Sequence, residues 1–382
     1  MKHVSISLLI LILVSCNMTP DLKKEDVAIN TPDKFLQLNQ FTSTDSVAPG
    51  KWWLAFNDPK LNEVIEKTMA NNLDIKLAAS RVKQFEAIFD INSAQQYPQI
   101  NLDGSYAKQD GVIVAPFARA ITGSDVIDIN SENFSLKAGL RFNLDIWGKF
   151  RNLSNAAGAD YMAFRYDLQT AYEGIIAQVA ALYFQVKAQK QLVSFFTRIR
   201  DTYRNNLQIQ RDKYAGGIGN KLAVDLTSQQ YHNAEQLLAI QENLLIQVTN
   251  QLSVLLGEYP NPDLFADVDE IAIQLSTDKI PVAVPSQLLK QRNDIQSATY
   301  RIDAARHRIG VARADFFPNL SIGGTIGLVN SNLGDLFDPD VSLDKTLSVG
   351  VSQTIFDAGS KSAVLDQRWA EYEQSVLNYR KV

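Results

Sequence analysis

Few residues in this chain are of the types that do chemistry, and their spacing argues against most of it. The three histidines are His3, His232 and His307. His3 precedes an N-terminal apolar run, and the other two fall in separate helical segments with no second metal-ligating side chain at a useful spacing. Gly323-Gly324-Thr325-Ile326-Gly327 has the glycine content of a phosphate loop, but no Lys and no helical pattern follow it. It sits inside an alternating apolar pattern, where small residues on a wall account for it. Asp263, Asp267, Asp269 and Glu270 cluster without the spacing or central Gly of a calcium loop and read as solvated linker. No catalytic constellation, cofactor site or metal site is expected, so the chain does not read as an enzyme. Its net charge of −5 offers no basic field to nucleic acid.

Cys16 is the one residue with a definite chemical assignment, and it is the only cysteine. Lys2 and His3 precede the apolar run Leu8 to Val14, which is too short to span a bilayer as a helix but right for a signal peptide over 1–15. The run closes on Leu13-Val14-Ser15-Cys16. A small residue before a lone Cys at that place is similar to a bacterial lipobox, where the thiol is diacylated and the new N-terminus acylated. Several acyl chains anchor far more firmly than one. Asn17, rather than Asp, fits sorting to the outer membrane. A covalent lipid on Cys16 is therefore expected, and with no second cysteine there is no disulfide.

The elements that follow are read from periodicity. Residues 16–50 are polar and mixed, with Pro20, Pro32 and Pro49, and read as a lipid-anchored tether. Asp58-Pro59 opens a helical pattern carrying Leu61, Ile65, Leu73, Leu77, Val82 and Phe85, which Pro98 ends. Ile100, Leu102, Gly104 and Tyr106 alternate as a strand, and a Gly-, Asp- and Asn-rich segment runs from Lys108 to Glu132. From Phe134 to Ile146 every second residue is apolar and every intervening one is Ser135, Lys137, Gly139, Arg141, Asn143 or Asp145. That period of two gives one greasy and one wet face. At about 3.3 Å per residue it predicts a strand of more than about 40 Å, long enough to cross a bilayer at a tilt. No stretch has the roughly 18 to 20 apolar residues of a spanning helix, so any membrane crossing must use strands.

After Gly148 the period changes. Phe164, Leu168, Ala171, Ile175, Val179, Leu182, Val186, Val193 and Phe196 step by threes and fours, with one longer gap, and no Pro intervenes before Tyr214. A helix of this length reaches roughly 90 Å. Gly216-Gly217-Ile218-Gly219-Asn220 makes a turn, and Val224, Tyr231, Leu238, Leu245 and Leu252 then repeat every seven residues, a coiled-coil spacing. Beyond a linker over 260–285 the programme restarts. A helix runs from about Ser286 to Asp315, Pro318 breaks it, Leu320 to Leu328 alternate, and a polar loop with Gly334 and Pro339 follows. Leu347, Val349, Val351 and Ile355 then alternate, and a helix carries Leu365, Trp369, Tyr372, Val376 and Tyr379. The chain is an internal duplication, with units over 51–259 and 286–382.

Four strands cannot close a barrel, and an open edge in lipid leaves backbone groups unpaired at several kcal/mol each. A barrel needs roughly eight strands, so copies of the chain must supply one another's edges in a cyclic homo-oligomer.

At this point the sequence resembles the TolC-like outer-membrane factors, in particular the lipoprotein branch that serves resistance-nodulation-division efflux pumps. The resemblance rests on Trp52-Trp53-x-x-Phe56-x-Asp58-Pro59-x-Leu61, on Asn72-x-Asp74 with Ala78 and Arg81-Val82, and on Tyr97-Pro98. It continues through Leu144-Asp145-x-x-Gly148, Tyr214-x-x-Gly217, and Phe317-Pro318 leading to Phe356-Asp357-x-Gly359. It implies a mainly helical protein with a membrane β part: a homotrimer whose twelve-stranded β-barrel continues into a periplasmic α-helical coiled-coil barrel. It implies a passive exit duct for small molecules and drugs, working with a periplasmic adaptor protein and an inner-membrane pump. The turn bearing Tyr214, Gly216, Gly217, Gly219 and Asn220 would be the adaptor-docking tip.

One departure stands out. The second unit stops at Val382 in mid-helix with no Gly or Pro terminator, so it is expected to be incomplete, and the family's gate residues are not carried onto this chain. Two other readings are a periplasmic coiled-coil structural lipoprotein with a soluble β domain, and the outer channel of a type I protein secretion system.

Overall fold

The computed structural model describes residues 18–22, 51–114, 126–261, 265 and 291–382. Cys16, the 1–15 segment, most of the tether, most of the linker and the acidic cluster at 263–270 lie outside the described residues. After a 3-10 turn at Trp52–Phe56 come α1 (Pro59–Asn71), α2 (Leu73–Ala94), β1 (Gln99–Val114), β2 (Val126–Leu144), α3 (Lys149–Ala215) and α4 (Lys221–Leu255). Then come α5 (Asn293–Ala314), β3 (Asn319–Asn330), β4 (Leu343–Ser352) and α6 (Ser360–Lys381). Both halves thus run helix, strand, strand, helix.

Three boundaries differ from the expected ones. The helix beginning at Asp58 is two helices, because Asn72 interrupts it. Asn72 Oδ1 accepts from the Ile75 amide at 3.0 Å, capping α2, and its amide nitrogen donates to the Leu255 carbonyl at 2.9 Å. The strands β1 and β2 reach well into the polar segment that periodicity read as loop, pairing as far as Val114↔Val126. A ladder there needs only backbone bonds, and the Lys108–Glu132 pair at 3.5 Å supports it across the strands. Finally, β2 ends at Leu144 and β4 at Ser352, leaving Ile146 and Ile355 outside the sheet.

Contacts divide the chain into two compact units. One contains 18–22, Gln84–Ala163 and Ala298–Val382. It holds the four-stranded sheet, ordered β1-β2-β3-β4 with every neighbour antiparallel. Its buried cluster is small: Ile302, Ala305 and Ile309 of α5 against Tyr372 and Val376 of α6. The other unit contains 51–83 and, of Phe164–Ser297, the described residues. Its core joins Trp53, Leu61 and Ile65 to Val179, Tyr183 and Val186 of α3 and to Val248, Leu252 and Leu256.

Asp58 starts α1 by accepting from the amides of Lys60 and Leu61 at 3.1 and 3.2 Å, with Pro59 supplying the first-turn φ. Along α4 the heptad positions Val224, Tyr231, Leu238, Leu245 and Leu252 are all half-buried or buried, and Ala234, Val248 and Leu255 extend the same stripe. Gln189 of α3 donates to the backbone and side-chain oxygens of Gln241 at 3.0 and 2.9 Å, locking the α3–α4 hairpin partway along. Among the described residues no helix is long and apolar enough to cross a membrane.

Candidate functional site

The sheet is the first candidate surface, and its register sorts the side chains into two faces. Rows run across three strands as Leu144–Leu320–Val351, Phe142–Ile322–Val349, Leu140–Gly324–Leu347, Ala138–Ile326–Lys345 and Leu136–Leu328–Leu343. On β1 the same face carries Ile100, Leu102, Gly104 and Tyr106. Tyr106 and Phe134 stack at 4.8 Å, and the next row is the charged pair Lys108–Glu132. The apolar band on β2 therefore runs from Leu144 to Phe134, about 33 Å along the strand at 3.3 Å per residue. Tilted as barrel strands are, that is about 25 Å of height, the thickness of a barrel's lipid-facing band. Ile100 is 76% and Leu347 81% exposed, so no described residue covers this face at its two edges.

The opposite face is wet and small, with Asn101, Ser105, Ser135, Arg141, Asn143, Ser321, Thr325, Thr346 and Ser348. One row on it carries an ion pair across the strands. Lys137 of β2 lies opposite Gly327 of β3, which lies opposite Asp344 of β4. The Lys137 side chain passes over Gly327 to meet Asp344 at 2.6 Å. A Cβ at position 327 would collide with the Leu136 carbonyl and stand 2.8 Å from Lys137 Cγ. Glycine there keeps the crossing open. Periodicity alone assigned these glycines to a wall; the across-strand bridge needed the register.

Where strands meet helices, the two halves use the same device. Asp145 accepts from the amides of Phe150 (3.1 Å) and Arg151 (2.8 Å) at the start of α3. Asp357 accepts from Gly359 and Lys361, both at 3.0 Å, at the start of α6. Each carboxylate satisfies first-turn donors and complements the helix dipole. Trp147 ties the halves together: its indole N–H donates to the Pro318 carbonyl at 2.9 Å and its ring stacks on Phe317 at 4.6 Å.

The second candidate surface is the α3–α4 turn, where the structure brings Tyr214, Gly216, Gly217, Gly219 and Asn220 into one short loop. The Ile218 amide donates to the Lys213 carbonyl and the Gly217 amide to the Tyr214 carbonyl, both at 3.0 Å. This Schellman closure places Gly217 at φ +72°, where a side chain is strained. Asn220 starts α4 by accepting from the Ala223 amide at 2.8 Å. The turn leaves Ile218 83% and Leu222 65% exposed, beside half-exposed Tyr214. Sequence reasoning named the turn's glycines and did not single out these two apolar side chains, which lie off the α4 heptad positions.

His232 and His307 remain far from any metal set, and no cluster of metal-ligating side chains occurs among the described residues. His232 pairs with Glu235 at 3.0 Å on the surface of α4. His307 is partly buried on α5, and burial holds its imidazole below the ordinary histidine range.

The sequence profile of the outer membrane efflux protein family matches residues 64–258 and 284–382. The match takes in most of the chain, which belongs to this family. It is 27% identical over 372 residues to the cation efflux system protein CusC of Escherichia coli K12, covering 97% of this chain and 78% of that one. It is 27% identical over 380 residues to the probable efflux pump outer membrane protein TtgC of Pseudomonas putida KT2440, covering 99% and 76%. The probable outer membrane lipoprotein SilC of Salmonella typhimurium is 25% identical over 386 residues, covering 100% and 79%. Among solved structures, CusC superposes with a TM-score of 0.78 at 25% identity over 96% of this chain and 79% of that one. The CmeC outer membrane channel of Campylobacter jejuni gives 0.85 at 21% identity over 96% and 76%. The fold is that of the outer-membrane channels, mainly helical with a smaller strand part, and the protein is an outer-membrane efflux component.

Proposed function

We propose that three copies of this chain close a twelve-stranded barrel in the outer membrane and serve as the passive exit duct of a tripartite efflux system. The observation that carries this reading is the four-stranded sheet itself. It has a face that is apolar over bilayer height apart from Lys345, a wet face where Lys137, Asp344 and Arg141 stand among small polar side chains, and two edges, β1 and β4, without a neighbouring strand among the described residues. Open edges in lipid cost several kcal/mol per unpaired backbone group, so the edges must pair between copies. Three copies of four strands exceed the roughly eight-strand minimum and leave a lumen lined by the Ser, Thr, Asn and Gly face with its Lys137, Asp344 and Arg141.

In this reading an inner-membrane pump supplies the energy and a periplasmic adaptor seals the joint. The α3–α4 turn with Tyr214, Gly216, Gly217, Gly219 and Asn220 is the docking tip, and the helices form the periplasmic coiled-coil wall. Cys16 carries the lipid, as the lipobox pattern and the name of SilC as a lipoprotein both support. Cargo is small molecules that a polar duct does not discriminate strongly. A soluble β domain accounts poorly for Ile100 and Leu347 on bare edges.

The deciding experiment is native mass in mild detergent on protein extracted from outer membranes. A heat-sensitive trimer supports the duct, and a monomer or dimer that stays soluble without detergent overturns it.

A further inference from the structure

The charges on the wet face of the sheet fall into two rows of opposite character. In one, Lys137 has Asp103 opposite it on β1 and, across Gly327, Asp344 on β4, so that one ammonium serves two carboxylates. The other lies about 13 Å nearer the helices, at 3.3 Å per residue along β2. There Arg141 stands between Gln99 of β1 and Gly323 of β3, and Ser348 of β4 completes the row. Nothing in this row is acidic. The Arg141 guanidinium makes no hydrogen bond or ion pair with any described residue, and neither do the side-chain amides of Gln99 and Asn143 on the same face. Asp145, just beyond the end of β2, is already held by the amides of Phe150 and Arg151.

Arg141 also borders a hollow of about 340 Å³ at the helical end of β1 and β2, between Ile91 of α2 and Phe150 of α3. Small-molecule sites of this size combine an apolar wall with a few fixed polar groups. Here the wall is Ile91, Tyr97 and Phe150, and the polar groups are Gln99, Arg141 and Asn143. Ile91 and Tyr97 are exposed, so the apolar part is open to a ligand. We propose that this hollow is a station for organic anions with an apolar body. Arg141 takes the carboxylate or sulfonate, to which its planar fork of donors is matched, and the two amides add neutral donors beside it. Ile91, Tyr97 and Phe150 take the hydrocarbon. The proposal rests on the barrel reading above, which makes this face the lumen and brings one station per copy to the duct. Charge decides the class of ligand: a cation meets an uncompensated guanidinium here and finds its carboxylates only in the Lys137 row. The station biases passage and does not gate it.

The test is current block in planar bilayers holding the full chain purified from outer membranes. Three probes are compared: naphthalenesulfonate, its cationic counterpart naphthylmethylammonium, and methanesulfonate, which has the charge without the apolar body. Block is read only on open pores, so a variant that misfolds cannot imitate a lost site. Naphthalenesulfonate should block wild type at lower concentration than either of the others. Arg141→Gln should weaken that block about fivefold or more, and Arg141→Lys, which keeps the charge, should retain most of it. Tyr97→Ser should weaken block by naphthalenesulfonate and leave methanesulfonate as it was. Equal block in wild type and Arg141→Gln overturns the station, as it would if a neighbouring copy filled the hollow. Block by naphthylmethylammonium as strong as by the sulfonate also overturns it. A wild-type chain that opens no pore ends the barrel reading and the station with it, by a signal separate from that of block.

Discussion

The Lys187 ammonium lies 2.9 Å from Asp58 Oδ2, and both side chains are largely buried. Tyr183 adds its hydroxyl to the same carboxylate at 3.0 Å, so the residue that starts α1 is also the polar centre of the Trp53–Tyr183 core. Replacing Asp58 by Ala removes a cap and strands the lysine. The loss should be about 3 kcal/mol or more, against about 1 kcal/mol for a cap alone. Thermal unfolding in detergent, comparing Asp58→Ala with Lys187→Met/Asp58→Ala, checks it: the double variant should recover part of the loss.

The same carboxylate has a pH signature. Burial pushes Asp58 up, but the Lys187 bond, the Leu61 amide and the Tyr183 hydroxyl outweigh it and hold the group below the usual aspartate range. A group held low contributes stability that is complete above the ordinary value, about 3.9, and is lost as pH falls through the lower native value. The gap in melting temperature between wild type and Asp58→Asn should be flat from pH 7 to about 5 and close below about 4. A gap that closes above pH 5 assigns the effect to another group.

Much of this was legible in the residues. The strict alternation from Phe134 to Leu144, the heptads on α4 and the repeated Asp-to-Gly turns named the elements and the duplication, because each is a local pattern with a fixed period. What was not legible is long-range. Asn72 stands in a motif that carries the resemblance, but its part as the break between two helices shows only once Leu255 is seen to accept from it. Gly327 is one small residue among several until the register places it between Lys137 and Asp344. The extension of β1 and β2 past Lys108 is not legible because its side chains do not alternate: Gln109-Asp110 and Asn130-Ser131 are polar in succession, and Val112-Ile113-Val114 and Val126-Ile127 are apolar in succession.

Gly327 and Asp344 separate two effects that sit in one row. Gly327→Val forces a branched side chain into the Leu136 carbonyl and the Lys137 stem, so the sheet must shift; the cost should be about 2 kcal/mol or more. Asp344→Ala removes an ion pair whose two side chains are each about one-third exposed, and should cost under about 1 kcal/mol. The temperature at which the oligomer dissociates on gels reads both. Equal losses would mean that the bridge, not the close crossing, holds the row.

At the α3–α4 turn, geometry and surface chemistry are expected to come apart in the same way. Gly217→Val puts a β-branched residue at φ +72°, at a cost of roughly 1–2 kcal/mol, and should disturb the whole loop. Ile218→Asp and Leu222→Asp replace side chains that are already exposed and should leave unfolding unchanged. If this turn docks an adaptor, the two Asp variants will assemble as wild type does and yet lose export, because a charge on each side of the loop must be desolvated on docking. Efflux in cells carrying each variant, scored beside oligomer yield, makes the comparison. Full export by Ile218→Asp/Leu222→Asp would remove docking from this turn and leave it as the closure of a helical hairpin.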